Sequence, residues 1–251
     1  MKRYGLVKKY YEQANLSGKQ KVGRIISKEN ENYKVITEIG IYQAEISNKF
    51  KKETNSLIYY PVIGDFVIVE FNHDNFTTIN GILKRKNQLV HKAEWDANYD
   101  HVVAANIDTV FICLSLNNDF NIEKLKAYIS IASKCKAEKV LVLTECDSFS
   151  NIDEILNNIQ EHTKKMDVIV TSGMDSDGCK SVKSYIQEGK TIIFIGPEHD
   201  KVRMVNKLLR DICFENNLVL IPGGGVLINT PEMREIGIEN QNILNKFADI
   251  R

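Results

Sequence analysis

Val140-Leu141-Val142-Leu143-Thr144-Glu145-Cys146-Asp147 decides the fold. Its first four residues close the apolar run Lys139–Leu143, too short for a buried helix and rich in the β-branched type that a two-faced buried strand needs. The next four are polar, so the strand ends there. Working outward, the pattern recurs. Thr109–Leu114 is an apolar run followed by a helical stretch, Ile122–Ser133; Lys139–Leu143 is followed by Ile152–Thr163. Asp167–Val170 precedes a helix near Val182–Gln187, and Thr191–Ile195 precedes one near Val202–Phe214. Leu218–Ile221 and Val226–Ile228 are two further runs. Strands alternating with helices imply a mostly parallel sheet covered on both faces. In such sheets ligands bind beyond the carboxyl ends of the strands.

Residues 20–93 have a different rhythm. Lys21–Ser27, Tyr33–Glu38, Ile41–Ile46, Asp65–Phe71 and Thr78–Leu83 read as short strands parted by turn-like segments. Five short strands suit a small barrel, of which the OB-fold is the commonest with a nucleic-acid role. The organisation expected is therefore α/β overall: an OB-fold β-barrel with an N-terminal extension at 1–93, a linker at 94–107, and a Rossmann-like domain at 108–251. No internal repeat or low-complexity segment interrupts it.

Composition narrows the class. Of 251 residues, 43% are apolar and 26% charged, which suits ordinary globular cores. The 33 basic and 33 acidic side chains cancel, so net charge points to no partner. Residues 1–100, however, hold 16 basic and 12 acidic side chains against 17 and 21 in the remainder, a mild hint of an RNA surface on the barrel. The five cysteines form no CxxC pair, and the five histidines have no metal spacing, so reduced thiols and no metal site are expected. The N-terminus lacks a signal-peptide run and no apolar stretch approaches 18 residues; a cytoplasmic chain off the membrane is expected.

Three fragments at strand ends carry the chemistry: Thr144-Glu145-Cys146-Asp147, then Gly196-Pro197-Glu198-His199-Asp200-Lys201, then Asn229-Thr230-Pro231-Glu232. Each looks like an altered GTPase motif: the guanine-reading NKxD, the phosphate-holding GxxxxGK[ST] and the DxxG that meets the terminal phosphate. Their order is that of circularly permuted GTPases. Longer strings agree: Tyr60-Pro61-Val62-Ile63-Gly64-Asp65-Phe66-Val67, Val103-Ala104-Ala105-Asn106-Ile107-Asp108-Thr109-Val110-Phe111-Ile112, Ser115-Leu116-Asn117-Asn118-Asp119-Phe120-Asn121 and Pro222-Gly223-Gly224-Gly225-Val226-Leu227-Ile228-Asn229-Thr230-Pro231. Across nearly its whole length the chain resembles the ribosome small-subunit-dependent GTPase A family (RsgA, also called YjeQ). The resemblance implies an OB barrel, a circularly permuted P-loop GTPase domain and a C-terminal zinc-binding domain, acting on the maturing small ribosomal subunit with GTP hydrolysis. A shortened member without the zinc domain is expected here.

The motifs depart from the family where chemistry is done. A phosphate loop wraps backbone N–H groups around phosphates and supplies Lys for charge and Ser/Thr for Mg²⁺. Lys201 falls on the family lysine, but Val202 takes the hydroxyl position, Asp200 replaces a glycine, and the loop is one residue shorter. The alternative is a plain strand-to-helix turn with Gly196 and Pro197 as turn residues. Asp147 keeps the guanine-reading carboxylate and Thr144 is a tolerated substitute, but Glu145 reverses the lysine's charge; alternatively Asp147 is a helix N-cap before Ile152, or a loop residue. Ser172-Gly173 matches the short base-supporting segment. Asn229 and Glu232 replace the aspartate and glycine of the terminal-phosphate motif, leaving Thr230 and Pro231. Residues 209–218 are too few for the family's closing segment.

The resemblance thus implies a nucleotide site of Thr144, Asp147, Ser172, Gly196, Lys201, Asn229 and Thr230, with no catalytic residue. GTP or GDP is the nucleotide a residual site would take, and neither Mg²⁺ nor Zn²⁺ is expected. Arg24, Lys34, Lys49, Lys51, Lys52, Lys84, Arg85 and Lys86 are the RNA-binding candidates, by resemblance for rRNA or the small subunit; a solvated surface is their alternative. Three functions stay open for this expected monomer: a pseudo-GTPase binding the ribosome, a divergent GTPase using Lys201 and Asp147, and a non-ribosomal interaction module.

Overall fold

The computed structural model describes residues 1–54, 60–71, 77–93, 96–117, 120–148, 151–172, 176–197, 199–200, 204–206 and 217–229. Strands β1 (Gln20–Glu29), β2 (Asn32–Thr37), β3 (Gly40–Ile46), β4 (Phe66–Phe71) and β5 (Thr77–Ile82) close into a barrel. β1 pairs with β2 and β4, β2 with β3, and β4 with β5, all antiparallel; β3 and β5 pair in parallel. Alternate side chains Tyr33, Val35, Ala44, Ile46, Val67, Val69 and Ile79 fill it, as period-two strands require.

Two helices decorate the barrel that the strand reading passed over. α1 (Lys8–Ala14) buries Tyr10 and Ala14, which with Leu6 follow a four-residue spacing, against Val22, Phe66 and Leu83. The Tyr10 and Phe66 rings stack at 3.9 Å. α2 (Asn48–Glu53) starts where the Ser47 hydroxyl accepts the Phe50 N–H at 3.2 Å. The basic stretch Lys49–Lys52 is therefore helical.

Residues 94–107 were expected as a linker, but a strand lies within them: β7 (Asp96–Ala105) pairs antiparallel with β6 (Gln88–Ala93). Beyond it β8 (Thr109–Ser115), β9 (Glu138–Thr144), β10 (Asp167–Val170), β11 (Thr191–Ile195), β12 (Asn217–Leu220) and β13 (Val226–Asn229) stand in the order β10-β9-β8-β11-β13-β12. All neighbours are parallel except β12, which forms a hairpin with β13. The turn of that hairpin needs its glycines: Gly223, Gly224 and Gly225 all have positive φ, and a Cβ on Gly225 would stand 2.6 Å from the Ile186 side chain.

Helices α3 (Ile122–Lys134) and α4 (Ile152–Thr163) lie where the periodicity put them. α5 (Ser176–Ser184) instead lies ahead of the expected Val182–Gln187, because Tyr185 and Ile186 continue the apolar spacing but pack from the following turn against the core around Phe111. Of the helix expected near Val202–Phe214, residues 204–206 are helical with Met204 and Val205 buried; 202–203 and 207–214 lie outside the described residues. No described helix is long and apolar enough to cross a membrane.

Barrel and sheet are fastened together. Ser27 of β1 stands opposite Asn217 of β12. Arg24, fully buried, reaches from β1 to three places: Nε donates to the Gly64 carbonyl (3.2 Å), Nη1 to the Tyr4 carbonyl (2.6 Å) and Nη2 to Thr191 Oγ1 (2.8 Å) at the start of β11. Its guanidinium also lies over the Phe66 ring at 4.8 Å. Burial pushes it down to about 10, against the pull of Tyr10, Asp108 and Asp65, so it stays charged at neutral pH. Asn106, at φ 60°, donates to Gly64 O (3.0 Å) and accepts the Lys86 N–H (2.8 Å). Gly64 must be glycine, since a Cβ would lie 2.3 Å from the Ala105 carbonyl oxygen.

Candidate functional site

The carboxyl ends of β10, β9, β8, β11 and β13 stand side by side and bring the sequence fragments into one row. Ser172 follows β10, Thr144 ends β9, Ser115 ends β8, Gly196 follows β11 and Asn229 ends β13. The connections are direct. Leu116 N–H donates to the Thr144 carbonyl (2.8 Å), Thr171 N–H to Leu143 O (2.8 Å) and Cys146 N–H to Thr171 O (3.4 Å). The guanine-reading fragment and Ser172 thus stand at adjoining strand ends, in the row that Gly196 continues. At about 4.8 Å per strand, Thr144 and Asn229 stand roughly 14 Å apart across it.

Glu145 turns the chain with φ 60°, and a 3₁₀ turn, Cys146–Ser148, follows. Asp147 lies in that turn and is exposed; the residue preceding α4 is Asn151, so Asp147 is not its N-cap. Thr144 is buried, and its hydroxyl has no hydrogen-bond partner among the described residues. An unpartnered hydroxyl at this depth costs about 1–3 kcal/mol.

Gly196 leaves β11 at φ 139° with no room for a side chain: a Cβ would lie 2.1 Å from the Cys113 carbonyl oxygen. The chain then enters a helical turn in which Asp200 is 4% exposed, and its Oδ2 accepts the Ser115 N–H at 2.9 Å. The carboxylate therefore points back under the end of β8, into the crevice. Exposed His199 lies 3.6 Å away through Nδ1. Asp200 is not among the residues to which the resemblance gave a binding role, and the contact spans 85 positions, so sequence supplied only the carboxylate and not its partner. Lys201 and Thr230, both expected in the nucleotide site, lie outside the described residues, as does Glu232.

A magnesium–triphosphate fits these residues poorly. An anion here meets the buried Asp200 carboxylate where the resemblance places a glycine, and at roughly 4 Å like charges cost about 1–4 kcal/mol. Asn229 has no charge to orient hydrated Mg²⁺. Among the described residues no three His, Cys, Asp or Glu side chains are grouped to hold a metal.

The RNA-binding candidates separate. Arg24 is corrected: it is the buried clasp described above and meets no solvent. Arg85 is mostly inward, donating from Nε to Asp65 Oδ1 (2.8 Å) and from Nη2 to Oδ2 (2.7 Å) of a fully buried carboxylate. Lys51 pairs with Glu31, and Lys86 with Asp108 at 2.7 Å. Lys49, Lys52 and Lys84 are exposed and Lys34 half-buried.

Comparison with known proteins follows the same lines. A family model described as RsgA GTPase matches residues 82–239. A curated relative, small ribosomal subunit biogenesis GTPase RsgA 2 of Lactiplantibacillus plantarum, is 29% identical over 99% of this chain and 75% of its own. Its namesake in Vibrio parahaemolyticus is 28% identical over 90% of this chain and 66% of its own. Among solved structures, YjeQ from Thermotoga maritima superposes with a TM-score of 0.69 at 20% identity, covering 87% of this chain and 77% of that one. YloQ, a circularly permuted GTPase, does so with a TM-score of 0.63 at 20% identity, covering 84% and 71%. These two support the fold: a closed five-stranded barrel followed by a permuted GTPase-like sheet.

Proposed function

The chain belongs to the RsgA GTPase family, and we propose that it is a member that works by binding the small ribosomal subunit rather than by turning over GTP. One observation carries this reading: the buried Asp200 carboxylate, held by the Ser115 N–H, at the place of the phosphate loop's glycine. Phosphoryl transfer depends on positioning and charge stabilisation. A fixed negative charge beside the phosphates opposes both, and by the resemblance the sequence has Val202, Asn229 and Glu232 in place of the metal ligand, the metal-orienting charge and the glycine that admits the γ-phosphate. The partner is taken from the relatives' names, and the exposed lysines of the barrel (Lys49, Lys52, Lys84) are candidate contacts to rRNA.

The test is cosedimentation with purified small subunits, followed by GTPase assay of the pelleted complex. Binding that weakens with salt, without hydrolysis above the subunit background, is expected. A subunit-stimulated rate comparable to that of a family member with intact motifs overturns the reading.

A second reading rests on the unpartnered Thr144 hydroxyl beside exposed Asp147: a guanine base completes this pocket and a nucleotide is held without turnover. It requires micromolar GDP binding that Asp147→Ala abolishes.

A further inference from the structure

The described residues at the two ends of the parallel sheet differ in the charged side chains they carry. Beyond the carboxyl ends, the described loop residues 115–117, 120–121, 144–148, 171–172, 196–197 and 199–200 include Glu145, Asp147 and Asp200 and no lysine or arginine. At the other end every helix-to-strand connection from α3 to β11 brings lysine: Lys136 before β9, with Lys139 just inside it, Lys164 and Lys165 before β10, and Lys190 before β11. Lys86 joins them before β8, since it and Lys190 share one Asp108 carboxylate oxygen at 2.7 and 3.6 Å. Because β10, β9, β8 and β11 are consecutive neighbours, these lysines form a row about 14 Å long at strand spacing.

Lysine at a helix C-terminus is favoured by the helix dipole, which accounts for Lys164. It does not account for Lys86, Lys139 and Lys190, which lie on strands or turns. Asp108, Glu138, Asp167 and Glu188 lie at the same end and offset part of the charge: Asp108 pairs with Lys86 and Lys190, and Lys164 pairs with Glu161 at 3.6 Å. Lys136, Lys139 and Lys165 make no ion pair with a described residue. The Arg24 clasp ends on Thr191, next to Lys190, so barrel and row are held in one orientation.

We infer that this row, opposite the old nucleotide crevice, is a docking face for the phosphate backbone of folded RNA. The inference rests on the ribosomal reading above and adds which face meets the RNA. A row of ammonium groups backed by a rigid sheet suits a regular line of phosphates, and each contact made releases counterions.

The full chain is titrated against purified small subunits and a fluorescent RNA duplex at several salt concentrations. Lys136→Glu/Lys165→Glu/Lys190→Glu is expected to weaken binding to both at least tenfold near 0.1 M salt. The milder Lys136→Gln/Lys165→Gln/Lys190→Gln, with unchanged melting temperature, is expected to flatten the slope of log affinity against log salt by about 2 to 3. A charge-matched control, Lys8→Gln/Lys9→Gln/Lys126→Gln, is expected to stay within threefold of the unaltered chain. Wild-type binding to subunits that neither row variant changes overturns the docking face and leaves the ribosomal reading standing. Row variants that lose binding to polyglutamate but not to RNA mark an acidic-protein surface and also overturn it. Failure of the wild type to bind subunits or duplex overturns both.

Discussion

The junction where barrel meets sheet and the crevice at the sheet's far end are hung on the same strands, but they are finished differently. At the junction the deeply buried polar groups are matched. Arg24 finds two carbonyls and a hydroxyl, Asp65 accepts from the Val62 N–H and Arg85, and Asn87 exchanges two 2.8 Å hydrogen bonds with the backbone of Ile107. In the crevice a buried threonine hydroxyl has no partner among the described residues, and buried Asp200 stands where the resemblance implies a glycine. Much of the sequence resembling the family falls at the junction: Gly64-Asp65 and Ala105-Asn106-Ile107-Asp108 are its components. Asp108 shows the same care. Burial alone would raise its carboxyl, but Lys86, the Thr191 N–H and Lys190 hold it below the ordinary carboxylate value. The junction holds the architecture shared with GTPases, and on the proposed reading it is the crevice that has lost its nucleotide chemistry.

Arg24→Ala is the largest blow to that contrast. It leaves the Tyr4 carbonyl and the Thr191 hydroxyl without this donor in a cavity, and about 3–5 kcal/mol of stability should go, read by urea denaturation; a loss below 1 kcal/mol would mean that the clasp is not the fastening. Gly64→Ala and Gly196→Ala probe one glycine on each side. Both force a Cβ onto a carbonyl at positive φ, and about 2–4 kcal/mol each is expected. A cheap Gly196→Ala would show the crevice turn to be loose. Asp200→Ala removes one buried hydrogen bond and should cost about 1–2 kcal/mol without producing GTP hydrolysis. Hydrolysis appearing in this variant would make the carboxylate a simple plug on otherwise working machinery. Smallest is Thr144→Val: with no bond to lose, stability should change by about 0.5 kcal/mol or rise. A clear destabilisation would reveal a partner for the hydroxyl.

The barrel strands and the parallel strands were legible because β-branched runs and turn residues mark both ends of each. Residues 94–107 were not, since Glu94-Trp95-Asp96-Ala97-Asn98 has no alternation, and the pairing of β7 with β6 is a tertiary choice. Arg24 misled because arginine is rarely fully buried; the available signal was its place between Gly23 and Ile25 in an otherwise apolar stretch of strand. Leu6, Tyr10 and Ala14 carried a helical spacing too short to stand out from seven residues of helix. In the crevice sequence named the altered positions, but only the fold shows that Asp200 turns inward to Ser115, because nothing local to either residue encodes a contact between separate strand ends.

On the proposed reading the crevice has ceased to serve GTP turnover. Calorimetry of the full chain with GDP, GTP and a non-hydrolysable GTP analogue, each with and without Mg²⁺, tests it most directly. No Mg²⁺-dependent preference for the triphosphate forms is expected, and at most a weak, Mg²⁺-independent heat with GDP. Micromolar, Mg²⁺-dependent binding of GTP and its analogue would contradict it.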